Sequence, residues 1–262
     1  VLMSKWMFAN MASLDMGAIM ESQSSMGTEA LAKTPYVLWK PLLASYLRGQ
    51  QFLTKRADEQ NAALDHVYAN PPLSTEQILH PEKYWDEEQL DEPMLVKLGT
   101  DHLDGWKTLY TDTLGEAQLA LVTTPPDKRS GLDASDAMGM MLLKYTNRAA
   151  EGWGGDRYVL MQKDDTLVMH MVTVWDTQRD AEQFYESIAS QADHLDASLG
   201  KLGGDMAMSS TKVELMEDTR VVNVTFVAAK SATKGIEEMV AGIEVTIMEH
   251  KKAEETEKDE AK

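Results

Sequence analysis

Cysteine is missing from all 262 residues, so a disulfide framework, a thiolate metal site and a cysteine nucleophile are all excluded. Positive charge is scarce, with 25 Lys and Arg against 43 Asp and Glu and a formal net charge of −18. Nucleic acid is therefore not an expected partner, since binding a phosphate backbone rests on Lys and Arg displacing counterions. No membrane span is expected either. The most apolar stretch, Val1 to Glu21, is interrupted by Lys5, Asn10 and Asp15, each costly in hydrocarbon, and carries neither a basic leader nor a small-residue cleavage site. Its apolar residues, spaced three and four apart, predict a buried helix. The six histidines, His66, His80, His102, His170, His194 and His250, include no pair four residues apart. The paired-histidine helix of an HExxH zinc hydrolase is thus absent, and the chain holds no self-sufficient zinc site.

Hydrophobic residues make up 43% of the chain, enough for a core of ordinary size. The first part reads as mainly helical, with Pro35 and Pro41 punctuating an aromatic segment that leads into a helix ending at Tyr68. Asn70-Pro71-Pro72 forces an extended turn. Ser74 then caps a short helix, and Gln77 completes a capping-box pattern. Five acids between Asp86 and Glu92, ending at Pro93, mark a boundary. Beyond it, Leu114–Thr123 and Ser135–Glu151 read as helices, and Asp133 and Asp136 as caps before the second. Segments Arg157–Gln162 and Thr166–Trp175 form a hairpin around Lys163-Asp164-Asp165. A helix from Arg179 to Leu199 follows. Val213–Met216 and Arg220–Ala228 form a second hairpin, and Thr233 to about Glu249 a last helix. The two hairpins, each followed by a helix, suggest a strand-strand-helix repeat. The expected fold is α+β: a helical part over residues 1–92, a small antiparallel sheet with helices over 93–249, and a charged, solvated tail over 250–262.

The string Ser74-Thr-Glu-Gln-Ile-Leu-His-Pro-Glu-Lys-Tyr84, preceded by Tyr68-Ala-Asn-Pro-Pro72, packs a helix start, a histidine, a proline and several carboxylates into one short segment. With Gly27–Ala32, Thr113–Glu116, Gly152–Tyr158 and Trp175–Thr177, it resembles the C-terminal two thirds of a bacterial family of secreted, gluzincin-like zinc metallopeptidases. The resemblance covers Val1 to Phe184. It implies an exported or cell-envelope protein, zinc in the intact parent and a peptide or protein substrate. Family members carry HExxH and EGD motifs upstream of the part seen here, and neither motif occurs in these 262 residues. The expectation is a portion whose metal ligands precede Val1, inactive alone and binding no zinc by itself. The other reading, from a different class, is a non-catalytic α+β module that binds a ligand or partner.

His80 is the first candidate site residue, as an oxyanion donor beside the metal of an intact enzyme; the plainer reading is an imidazole ending a helix. Glu76, Glu82 and Tyr84 are weaker candidates of the same kind, with Glu82 read alternatively as a lysine partner and Tyr84 as packing. In the glycine-rich segment, Trp153, Asp156 and Arg157 read as structural or ligand-contacting residues. The segment lacks the Lys-Ser/Thr ending of a phosphate loop. Its glycines suit a left-handed stop and a tight turn, with Trp153 covering the core edge. Asp156 and Arg157 point to opposite faces of a strand, so each needs its own partner. His170 shares a strand face with Val168, Val172 and Val174, which predicts a buried, satisfied histidine. The 18 methionines are scattered and read as core filler.

Overall fold

The computed structural model describes residues 6, 9–10, 34–56, 60–129, 143–202, 208–217, 219–230 and 235–250. Trp6, Ala9 and Asn10 are helical. The rest of the expected Val1–Glu21 helix, the Gly27–Ala32 motif, Asp133, Asp136 and the tail beyond His250 lie outside the described residues.

Helix α1 (Tyr36–Thr54) starts after Pro35, whose fixed φ suits a helix entrance, and contains Pro41 within its second turn. It buries Trp39 and Phe52. Helix α2 (Gln60–Ala69) runs up to the Asn70-Pro71-Pro72 turn. Two short helices follow, α3 (Thr75–Leu79) and α4 (Glu82–Trp85). The Ser74 hydroxyl caps α3 by accepting from Gln77 N at 3.2 Å. The Gln77 amide does not return to Ser74, as a capping box would have it. Its oxygen accepts from Leu73 N at 2.7 Å and its nitrogen donates to Asp91 O at 2.7 Å, tying the acidic boundary segment to the helix. Phe52, Tyr84, Trp85 and His66 stack edge to face and tilted, which closes α1 and α2 onto α4.

The rest of the chain builds a five-stranded antiparallel sheet in the order β2-β3-β4-β6-β5, from β2 (Lys107–Asp112), β3 (Trp153–Lys163), β4 (Thr166–Trp175), β5 (Met208–Leu215) and β6 (Val221–Ala229). Both expected hairpins are present, β3–β4 turning at Asp164-Asp165 and β5–β6 beside it through the β4–β6 pairing. β4 is buried almost throughout because the sheet is covered on both faces. On one face Met171, Trp175, Val222, Val224 and Phe226 pack against α5 (Gly115–Thr123) and α6 (Gln178–Ala189). Ring centroids of Trp175 and Phe184 are 4.7 Å apart there. On the other face Val159, Met161 and Val168 meet Met239 and Ile243, and Val172 and Val174 meet Val96. The fold is α+β.

Several expected elements are corrected. The single helix Arg179–Leu199 is two, α6 and α7 (Ala192–Leu202), because Gln191 turns its amide back to Thr123 O and Ser187 O. The described part of the expected Ser135–Glu151 helix, residues 143–151, is loop and turn. Asn147 bonds there to Ala120 O, Thr123 and its own chain at Ala149 N, a local pattern that competes with helix. The last expected helix, Thr233 to about Glu249, is a short α8 (Ile236–Ala241) and then a strand, β7 (Glu244–Met248). β7 pairs antiparallel with β1 (Leu95–Gly99), which local patterning had not marked, and this ribbon covers the second face. The chain entering β1 crosses β3 so closely that a Cβ on Gly155 would stand 2.5 Å from Met94 O, which leaves room for glycine alone.

Candidate functional site

The Ser74–Tyr84 segment sits where the helices meet the sheet. The Lys83 ammonium lies 2.6 Å from Glu76 Oε1, 2.6 Å from Asp91 Oδ2 and 2.9 Å from Asp176 Oδ2, the last at the end of β4. Burial pushes the Glu76 carboxyl up to about 8, against the pull of the Lys83 hydrogen bond. Burial opposes the charge on Lys83, but its bonds to Asp91 and Glu76 hold its pKa above the ordinary lysine value. One ammonium faces three carboxylates, so the most buried carboxylate is the one that keeps a proton. The three carboxylates offer oxygens within 4.8 Å of one another, spacing that could suit a cation. They do not fit zinc: the set has no nitrogen or sulfur ligand, and Lys83 fills its centre.

His80 ends α3, donating its backbone N–H to Glu76 O at 2.8 Å. Its Nε2 lies 3.0 Å from Glu116 Oε1 in α5, and that bond raises the imidazole pKa while burial opposes the rise. The Thr146 hydroxyl donates to the same Glu116 oxygen. Glu116 is fully buried, and its Oε2 has no partner among the described residues. Glu82 lies 3.6 Å from Lys55 and 3.8 Å from His80 Nδ1, and is half exposed. Tyr84 donates to Asn70 O and packs on Phe52. Asp156 faces inward and accepts from Leu114 N and Gly115 N at 2.8 Å and from Trp153 Nε1 at 2.9 Å. It thereby anchors the start of α5 from a neighbouring strand. Burial pushes its carboxyl up, and the two backbone bonds restrain the rise. Arg157, on the opposite face, donates to Thr111 Oγ1 at 3.0 Å. Trp153 is buried, next to Gly152 at φ 76. His170 is buried with Nδ1 2.9 Å from Thr225 Oγ1. The structure therefore gathers Glu76 and His80 near Glu116 and Lys83, and leaves Glu82 and Tyr84 at the rim, Trp153 and Asp156 beneath α5 and Arg157 on the opposite face against β2.

A concave surface opens beside this junction, between α1, the end of α5 and the 143–151 loop. Two adjoining hollows of about 500 Å³ and about 510 Å³ share Lys144, Thr146, Asn147 and Arg148. Lys40 and Lys128 line the first, and Arg48 and Tyr145 the second. Glu151 is the one acid among the described residues lining either hollow. The serine and threonine hydroxyls are committed to structure: Thr123 donates to Leu119 O, Thr124 to Ala120 O, Ser187 to Thr123 O and Thr146 to Glu116. Arg48 Nη2 donates to Leu143 O at 2.8 Å, joining α1 to the loop. Its guanidinium carbon lies 5.1 Å from the Tyr145 ring centroid. Burial pushes the Tyr145 hydroxyl's pKa up, with Arg48 pulling the other way. Sequence reasoning missed this cleft because its cations come from positions 40, 48, 128, 144 and 148 and form no local motif. The only trace was Lys144 and Arg148 four residues apart in a chain poor in positive charge.

Among known families, the one described as "Domain of unknown function (DUF8575)" matches residues 104–256, more than half of the chain. The match begins after Ser74–Tyr84 and includes Thr113–Glu116, Gly152–Tyr158 and Trp175–Thr177, which share with that segment the metallopeptidase resemblance. No curated protein sequence matches the chain. Among solved structures, the extracellular domain of PknH from Mycobacterium tuberculosis is similar at 9% identity, over 64% of this chain and 86% of that chain. The TM-score is 0.23, a likeness that carries no argument about fold or function.

Proposed function

The chain belongs to the DUF8575 family, and from that premise we propose that it is a non-catalytic α+β module that binds a ligand without transforming it. One observation carries the reading: among the described residues no histidine lines the cleft, and the one serine or threonine hydroxyl there that meets a carboxylate, Thr146 on Glu116 Oε1, shares that oxygen with His80. Catalysis of hydrolysis needs a base within reach of a nucleophile. The residues that would supply one are engaged elsewhere. Glu76 holds Lys83, Asp156 anchors α5, and Glu116 Oε1 already accepts from Thr146 and His80.

The metallopeptidase resemblance supplies the competing reading, in which the chain walls the cleft of a zinc hydrolase. Since the hydrolase reading also expects the 262-residue chain to be inactive alone, both are tested by incubating the protein expressed from its whole natural reading frame with a fluorogenic peptide mixture while zinc is titrated. The binding module gives no turnover above buffer at any zinc concentration. Turnover that rises with zinc occupancy, and is abolished by chelation, would replace it with the hydrolase.

A further inference from the structure

We propose that the cleft between α1 and the 143–151 loop is a binding site for a small oxyanion carrying two or more negative charges. This rests on the reading of the chain as a binding module and names the ligand class. Lys40, Arg48, Lys128, Lys144 and Arg148 converge on the cleft, and none pairs with a carboxylate among the described residues. That is a pointed arrangement in a chain of net charge −18, where 43 acids are available as partners. Gathered like charges repel, and an anion between them relieves the repulsion.

Two buried groups point the same way. Lys40 is only 9% exposed, and its ammonium meets the Tyr36 hydroxyl and the faces of Tyr36 and Tyr145, at 4.7 Å and 5.8 Å from the ring centroids. A buried charge with no counter-ion is unfavourable, and an anion in the cleft would offset that cost. Tyr145 lines the second hollow at 4% exposure, and its hydroxyl has no hydrogen-bond partner among the described residues. A bound oxyanion would accept from it. The Arg148 guanidinium, bonded to Gln183 through Nε alone among the described residues, suits the paired oxygens of phosphate or carboxylate, and the hollows have the size of a small-molecule site. The acidic remainder of the chain disfavours a long polyanion such as nucleic acid.

The test is calorimetric titration of the full chain with pyrophosphate and, separately, with citrate. Saturable binding of either supports the site, and the tighter probe tells a phosphate source from a carboxylate one. The exposed double reversal K144E/R148E should weaken binding at least tenfold, and Tyr145→Phe about threefold or more. Lys97→Glu, an exposed reversal on β1, controls for net charge and should leave binding within twofold. Absence of binding by both probes, or equal weakening by Lys97→Glu, overturns the oxyanion site. Phosphorus NMR of the pyrophosphate sample separates this from the parent reading. Release of orthophosphate would leave the oxyanion site standing and overturn the non-catalytic function.

Discussion

Lys83 and Asp176 stand 93 residues apart in the chain, and the Lys83 ammonium lies 2.9 Å from Asp176 Oδ2. Through this contact the helical part grips the end of the central strand β4. Glu76 and Asp91 hold the same ammonium from the helical side, so one lysine joins three stretches of chain. The acidic boundary at Asp86–Glu92, expected to separate two parts, thus also contributes to holding them together.

Lys83→Met removes the cation that faces three carboxylates, one of them 2% exposed. Asp91 and Asp176, each partly exposed, lose their shared cation and Glu76 its donor, a loss of about 2 kcal/mol. Glu76→Gln should be far milder, within about 1 kcal/mol at pH 7, because an amide resembles the protonated acid that a pKa of about 8 implies. Urea unfolding midpoints compare the two, and equal losses would show that Glu76 is charged in the fold.

The same carboxyl gives a pH dependence. Its folded pKa of about 8 lies above the ordinary 4.5, so between those values the folded chain holds a proton that the unfolded chain has released. Its contribution to stability is full below pH 4.5 and is lost as pH rises toward 8, with no further change above. Subtracting the Glu76→Gln stability curve from that of the wild type should isolate this slope. A difference that is flat between pH 5 and pH 8 contradicts it.

Asp156→Ala leaves Leu114 N, Gly115 N and the Trp153 indole without their acceptor inside the core. Unsatisfied buried donors make this a loss of about 3 kcal/mol, concentrated at the start of α5. Amide exchange should therefore speed up first at Leu114 to Glu116. Uniform acceleration across the sheet would mean that Asp156 acts on the whole fold and not as an anchor for α5.

The β3–β4 hairpin was legible because its cause is local: β-branched runs flank a two-residue turn that Asp164 closes at φ 50. β7 was not, because Glu244–Met248 is a strand only by pairing with Leu95–Gly99, nearly the whole module away in sequence. The break before α7 and the loss of helix at residues 143–151 follow from Gln191 and Asn147 reaching to α5, contacts that no window around either residue contains. At the site, the pairing needs of Asp156 and Arg157 were visible in strand alternation, and their partners were not. The cationic cleft was invisible for the same reason as β7: its residues come together only through the tertiary fold.

His170 was the most predictable of the polar core residues, and its environment sets a second pH window. Burial lowers its pKa to about 4, with Glu214 pulling it back up, while Nδ1 keeps its bond with Thr225 Oγ1. The ordinary value is 6.5, so between pH 6.5 and pH 4 the unfolded chain takes up a proton that the folded chain refuses. The stabilisation is full above pH 6.5 and is lost as pH falls, by about 3 kcal/mol across the window. His170→Gln keeps a polar side chain beside Thr225 and removes the titration, so its unfolding free energy should fall less steeply from pH 6.5 to pH 4. Wild-type and variant curves that run parallel through that range would mean that His170 protonates freely in the fold and that the β4–β6 face opens to admit the charge.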